Sequence, residues 1–189
     1  MSFSLKANKI ILLFIAFIVI VGIWQPNVLI DGVQRGSMYA MIALPLALIL
    51  GILGVLNLAH GEFLTVGLYI SYMLFSKFNI DPLISIIPVT IVLILLGGGI
   101  YLLTVKNVIK DGHLNQLLVT FGVSLILIEA IKIFWTTRPR NVFTGYAYSS
   151  VSIGDFTFGS YGLIYLAMAI IVLVGLQLFL KKTRLGQAT

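Results

Sequence analysis

Asn57-Leu58-Ala59-His60-Gly61-Glu62-Phe63 is the stretch that decides the fold. It is the one cluster of helix breakers between Ser37 and Phe75, and His60 and Glu62 are the only ionisable side chains flanked by those apolar runs. A single straight helix over Ser37 to Phe75 would run about 58 Å, roughly twice the hydrocarbon thickness of a bilayer. The chain must therefore turn back inside this cluster. Asn57 is expected to end one helix in the left-handed conformation. Gly61 is expected to take the backbone angles of a sharp turn. Glu62 then falls in the first turn of the next helix, where the macrodipole favours an anion.

The runs on either side extend the pattern along all 189 residues, of which 60% are hydrophobic and 10% charged. Soluble domains usually carry about 25% charged residues. A water-soluble enzyme and a disordered chain are both excluded by this balance. The absence of cysteine removes disulfides and thiolate chemistry. The formal charge of +6 comes from 12 Lys and Arg against 6 Asp and Glu. The basic residues are scattered between apolar runs, which reads as membrane topology and not as nucleic-acid binding. The fold class is an all-α polytopic membrane protein with about six transmembrane helices. Their approximate spans are 10–24, 37–56, 61–75, 83–105, 114–135 and 161–180, in one membrane domain over 1–189. Trp24-Gln25-Pro26-Asn27 offers no small-residue cleavage pattern, so the first span reads as an uncleaved helix.

Orientation follows from Lys and Arg. With the N-terminus inside, Lys6, Lys9, Lys106, Lys110, Lys181, Lys182 and Arg184 lie on the inner side. Arg35, Lys77, Lys132, Arg138 and Arg140 lie on the outer side. The basic cluster after the last helix decides for both termini in the cytoplasm. The long outer segment holds Val151 to Phe158, alternating about Gly154-Asp155, which reads as a small extracytoplasmic β-hairpin.

Two helices carry further patterns. Gly36, Ala40, Ala43, Ala47, Gly51 and Gly54 fall within an arc of roughly 80° on the second helix. Such a stripe lets a neighbouring backbone approach closely, so this helix is expected to be central in the bundle. Pro45 lies off the stripe and frees one carbonyl, so a kink is expected there. On the fifth helix Gln116, Thr120 and Ser124 share one face. They fit either the lining of a hydrated path or interhelical hydrogen bonding. Glu129 and Lys132, three residues apart, are expected to pair as an anchor. His60 and Glu62 themselves fit either an intramembrane functional site or a simple cap on a cytoplasmic turn. His60 and His113 are the only histidines and have no metal-ligand spacing, so no metal site is expected. No nucleophile accompanies the His-Glu pair, and no Gly-rich phosphate loop is present, so neither an enzyme nor a bound nucleotide or other cofactor is expected on this chain.

The stretch from Gly51 to Tyr69, with Asn57-Leu-Ala-His60-Gly61-Glu62 at its centre, resembles the signature of the branched-chain amino acid ABC transporter permeases. Leu117-Leu-Val-Thr120-Phe121-Gly122-Val-Ser124 and Lys182-Thr-Arg184-Leu-Gly186-Gln-Ala188 are similar to the family's fifth-helix entry and to the start of its cytoplasmic loop. The resemblance implies a permease subunit of a bacterial inner-membrane importer working by alternating access. It implies as partners a second permease subunit, two cytoplasmic ATP-binding subunits that hydrolyse the nucleotide, and an extracytoplasmic solute-binding protein. The solute is a branched-chain amino acid, or urea or a short amide in the wider group. Asn57, His60, Gly61, Glu62, Gln116 and Thr120 become candidates for the translocation path or its gating, and Arg184 and Gly186 for the ATPase-side loop. Family members continue past this point, so the chain is expected to be the N-terminal portion of a longer permease. A standalone ion-coupled carrier is the competing class. It would need broken helices in two related halves, and one break is visible.

Overall fold

A computed structural model describes residues 2–54, 56–108, 112–154 and 156–182, with side chains from residue 11 onward except that of Leu53. Lys110, Asp155, Arg184 and Gly186, singled out from the sequence, lie outside the described residues. The elements run α1 (Ser2–Trp24), α2 (Pro26–Leu53), α3 (His60–Phe78) and α4 (Pro82–Ile100). A π-helical turn (Tyr101–Val105) and the short α5 (Lys106–Val108) follow, and then α6 (His113–Trp135). A 3₁₀ turn (Gly145–Ala147), β1 (Ser150–Ile153), β2 (Phe156–Gly159) and α7 (Ser160–Lys182) complete the order. The chain divides into two compact units. One joins the residues up to Ala43 with those from Gly145, and the other is Leu44–Thr144.

Among the described residues, four helices are long and apolar enough to cross a membrane: Pro26–Ile52, Pro82–Val108, His113–Trp135 and Ser160–Lys182. Two of the expected spans are not among them. The described apolar part of α1 is the shorter Ile11–Trp24. The helix α3 carries Glu62 in its first turn and Lys77 in its last.

Three sequence-based boundaries are corrected. The second span was expected to start at residue 37, yet α2 starts at Pro26. Proline costs nothing at a first helical position, where its missing N–H has no partner to lose. Asp31 and Arg35, four residues apart, suit a helix surface. Next, α2 ends at Leu53, and its end residue in the left-handed region is Gly54 at φ 63°, not Asn57. Finally, Gly61 lies inside the first turn of α3 with no positive φ. Pro45 is accommodated inside α2.

In the unit Leu44–Thr144, α3, α4 and α6 pack together. The contact between α3 and α4 is close because Gly67 is buried: a Cβ there would sit 3.1 Å from Leu93 Cδ1 and 3.4 Å from Val89 Cγ1. One turn along, Ser71 and Ser85 hydroxyls lie 2.6 Å apart, and Ser85 donates to the Pro82 carbonyl at 2.8 Å. Asp81 caps α4, its carboxylate accepting from Leu83 N–H at 2.8 Å. Small and hydroxyl residues hold helices together where lipid leaves little hydrophobic drive.

In the other unit, α1 and α2 are separated by Gln25 alone. The strands β1 and β2 pair antiparallel, from Ser150 opposite Gly159 to Ile153 opposite Phe156, beside Gly154 at φ 62°. The Thr157 N–H donates to Asn27 Oδ1 at 2.9 Å, which ties β2 to the first turn of α2. Of the small-residue stripe, Gly36, Ala40, Ala43, Ala47 and Gly51 are exposed and Gly54 is half-buried. A Cβ at Gly36 or Gly51 would meet nothing within 4 Å. The close approach expected at this stripe is not made within the described chain.

Gly67→Val should lower stability by about 1–3 kcal/mol through overpacking against Leu93 and Val89, whereas Gly98→Val, in open space, should be nearly neutral. Thermal unfolding of the two purified variants in detergent checks the contrast; equal melting temperatures would refute the close α3–α4 contact.

Candidate functional site

Past the end of α2 the regular helical ladder stops, so the described backbone groups of the break need other partners. Gly54 N–H donates back to the Leu50 carbonyl at 3.0 Å. Asn57 does two jobs: its Oδ1 accepts from Ala59 N–H at 3.0 Å, and its carbonyl accepts from His60 N–H at 3.3 Å. Such Asx geometry is why asparagine suits a turn. Ala59 then starts α3, its carbonyl accepting from Glu62 and Phe63.

Leu58 is served from a distance. Its N–H donates to Thr120 Oγ1 on α6 at 3.3 Å, across 62 positions of sequence. The same hydroxyl lies 2.9 Å from the Gln116 carbonyl, 3.2 Å from that of Leu117 and 3.4 Å from that of Leu56. It has one hydrogen to give, and the Gln116 carbonyl is its nearest acceptor. Thr120 is 2% exposed. Beside it, Ala59 is 1% exposed and sits against Val123 and Leu127, with Phe63, Leu96 and Ile100 packed around them. A hydroxyl and a methyl group thus pin the irregular segment onto α6.

Next to this joint lies a cavity of about 300 Å³. Ile49 of α2, Asn57, His60, Phe63 of α3, Gly97 and Ile100 of α4, Tyr101 and Val105 of the π turn, and Thr120 and Val123 of α6 line it. That volume is at the small end of ligand pockets. The walls are apolar except for the groups of Asn57, His60, Tyr101 and Thr120. None of the lining residues is an acid, a lysine or an arginine, so the cavity suits a small solute whose buried part is uncharged. A π-helical turn is rare and often marks a functional position; here it supplies one wall.

The structure therefore brings Asn57, His60 and Thr120 to one cavity. Gly61, Glu62 and Gln116 are not among its lining residues, although Gln116 is buried one turn from Thr120. Ser124 is also buried on that face of α6, with Val123, Leu127 and Ile131. Sequence reasoning did not find Ile49, Phe63, Gly97, Ile100, Tyr101, Val105 and Val123. Gly97-Gly98-Gly99 before Tyr101 was the available signal, since it breaks an otherwise large apolar helix. Glu129 and Lys132 form an ion pair at 2.6 Å on the exposed surface of α6. Among the described residues, no group of three or more metal-ligating side chains comes together.

Thr120→Val should leave the Leu58 N–H without its acceptor and cost about 1–3 kcal/mol; Thr120→Ser should retain most of it. Hydrogen exchange at the Leu58 amide should speed up in the valine variant only, and equal protection in both would show that the hydroxyl does not hold the break.

Comparison with known proteins follows the same lines. The family model described as branched-chain amino acid transport system / permease component matches residues 28–189. The chain is 25% identical over 172 residues to the high-affinity branched-chain amino acid transport system permease protein BraD of Pseudomonas aeruginosa. That match covers 85% of this chain and 56% of BraD. It is 28% identical over 176 residues to the probable branched-chain amino acid transport permease protein LivH of Methanocaldococcus jannaschii, covering 87% of this chain and 53% of that one. A shorter match, 44% identical over 46 residues, joins it to LivH of Escherichia coli, over 24% of this chain and 15% of LivH. The chain spans about half the length of the relatives it matches throughout. No solved structure matches it significantly. The chain belongs to the branched-chain amino acid transport system permease family.

Proposed function

We propose that this chain forms one wall of the translocation path in an ATP-driven importer for branched-chain amino acids. The observation that carries the reading is the small cavity, without acid, lysine or arginine in its walls, built where the α2–α3 break meets α6 and the π turn. A leucine-type side chain needs apolar walls and room for a few carbon atoms, and Phe63, Ile100 and Val123 offer both. Asn57, His60 and Thr120 then supply the few polar contacts that orient a solute. Irregular backbone that lines a cavity is the usual construction of a transport site at depth.

The rest of the machinery is assigned on the same reading. Cytoplasmic ATP-binding subunits hydrolyse the nucleotide, a solute-binding protein delivers the solute from outside, and a second permease subunit completes the path. The uncovered small-residue face of α2 can receive a further helix from such a neighbour. Six spans, α1, α2, α3, α4, α6 and α7, cross the bacterial inner membrane, with both termini cytoplasmic and the β1–β2 pair outside. Lys181 and Lys182 at the end of α7 favour that orientation. ATP binding on the inside rocks the helices and alternates access to the cavity. Urea or a short amide is the second solute class, since the polar groups of the cavity suit an amide as well.

The test is reconstitution of the chain in liposomes with the ATP-binding and solute-binding subunits encoded beside it. Leucine, isoleucine and valine should stimulate ATP hydrolysis and compete for uptake, and urea should not. Gly97→Phe, which fills the cavity beside Phe63, should lower uptake at least tenfold while the subunits still co-purify. Stimulation by urea alone would transfer the reading to amides, and uptake driven by an ion gradient without ATP would overturn it in favour of a carrier.

A further inference from the structure

A second cleft, of about 260 Å³, opens in the other unit between the N-terminal half of α2 and the start of α7. Its chemistry is opposite to that of the cavity at the break. Asp31 and Arg35 stand one helical turn apart on α2, and Tyr161 and Tyr165 stand one turn apart on α7. At that spacing the Cβ atoms are about 5–6 Å apart, so the two charged ends can straddle a small group. Both charged side chains are exposed, and neither is held in an ion pair with another described residue. Tyr161 is fixed between Tyr146, at 5.5 Å between ring centres, and Tyr165, at 5.2 Å.

The floor is built. Gln34 is 6% exposed and its Nε2 donates to the Gly159 carbonyl at 3.4 Å, where β2 enters α7. The Gln34 amide lies over Gly162, in the space a Cβ there would take. Glycine at 162 is thus what lets a buried amide reach between the two helices. The Asn27 bond to Thr157 fixes β2 to α2 near the same end. A carboxylate, a guanidinium, two phenols and one buried amide therefore share one preformed cleft.

We propose that this cleft binds the zwitterionic head of a free α-amino acid, Asp31 facing the ammonium and Arg35 the carboxylate. A ligand with one sign of charge would satisfy only one of the two side chains and leave the other facing a like charge. A dipolar head satisfies both, with Tyr161 and Tyr165 beside it as hydroxyl donors or acceptors. The choice of an amino acid rests on the function proposed above; the charge pattern alone requires a dipolar ligand.

The experiment is saturable binding of L-leucine to the chain in lipid nanodiscs, read by saturation-transfer NMR. Isoamylamine, which lacks the carboxylate, and 4-methylpentanoate, which lacks the ammonium, serve as half-ligands. Asp31→Asn should weaken leucine and isoamylamine at least fivefold and leave 4-methylpentanoate unchanged. Arg35→Gln should weaken leucine and 4-methylpentanoate equally and leave isoamylamine unchanged. Asp31→Glu and Arg35→Lys should recover part of the binding, which separates lost contact from lost fold. Gly162→Ala, which keeps both charges but displaces Gln34, should weaken leucine as well. Absence of saturable leucine binding, or binding indifferent to both charge-removing variants, overturns the site and leaves the permease reading standing. Failure of solute-stimulated ATP hydrolysis in the reconstituted system overturns that reading even where the crossed pattern of half-ligands appears.

Discussion

The described backbone of the break, Gly54 and Leu56 to Ala59, lies outside the helices, and its polar groups draw partners from the rest of their unit. Inside hydrocarbon each unmade peptide hydrogen bond costs several kcal/mol. Gly54 returns its N–H to α2, Asn57 folds the next turn with its own side chain, and Leu58 is left for Thr120 to serve. The threonine hydroxyl can do so because it accepts and donates at once. The methyl of Ala59 fills the remaining space against Val123 and Leu127. That position is 1% exposed. The cavity persists beside the joint because the joint is held by compact groups.

The position of the break was legible, because the seven residues from Asn57 to Phe63 hold the polar and glycine signals that the flanking runs lack. The division of labour inside it was not. Glycine and asparagine both tolerate the left-handed region, so sequence alone placed that conformation at Asn57, whereas Gly54 adopts it at lower steric cost. Asn57 was freed to make the turn with its side chain. The same ambiguity hid the start of α2, where Pro26, Asp31 and Arg35 fall in the stretch before the expected span but belong to the helix. Thr120 could be singled out as part of a polar face, yet its partner is a backbone N–H far away in sequence. The π turn at Tyr101–Val105 left no signature beyond the glycines before it.

Close packing shows two outcomes of one composition. Between α3 and α4, Gly67 and the Ser71–Ser85 hydroxyl pair bring the helices together. Along α2 the small residues from Gly36 to Gly51 are just as regular but uncovered. In lipid, apolar surface gives little reason for helices to meet, so contact follows where small side chains and hydroxyls coincide. The α3–α4 contact has both. The α2 stripe has small residues alone among its named positions, which suits a surface that joins another helix by shape.

Charge placement follows the cost of desolvation. A branched-chain amino acid combines an apolar side chain with a head that carries two full charges. Full charges are expensive in a low-dielectric interior and cheap where water reaches them. The cavity at the break has no acid, lysine or arginine in its walls, with Asn57, His60, Tyr101 and Thr120 as its polar groups. The residues able to meet full charges, Asp31 and Arg35, stand exposed in the first turns of α2, beside the entry of β2 into α7. An ion pair between them is worth little at such exposure. A ligand that brings its own charges into the cleft changes that balance, because each side chain then exchanges water for an oppositely charged partner held by a preformed floor.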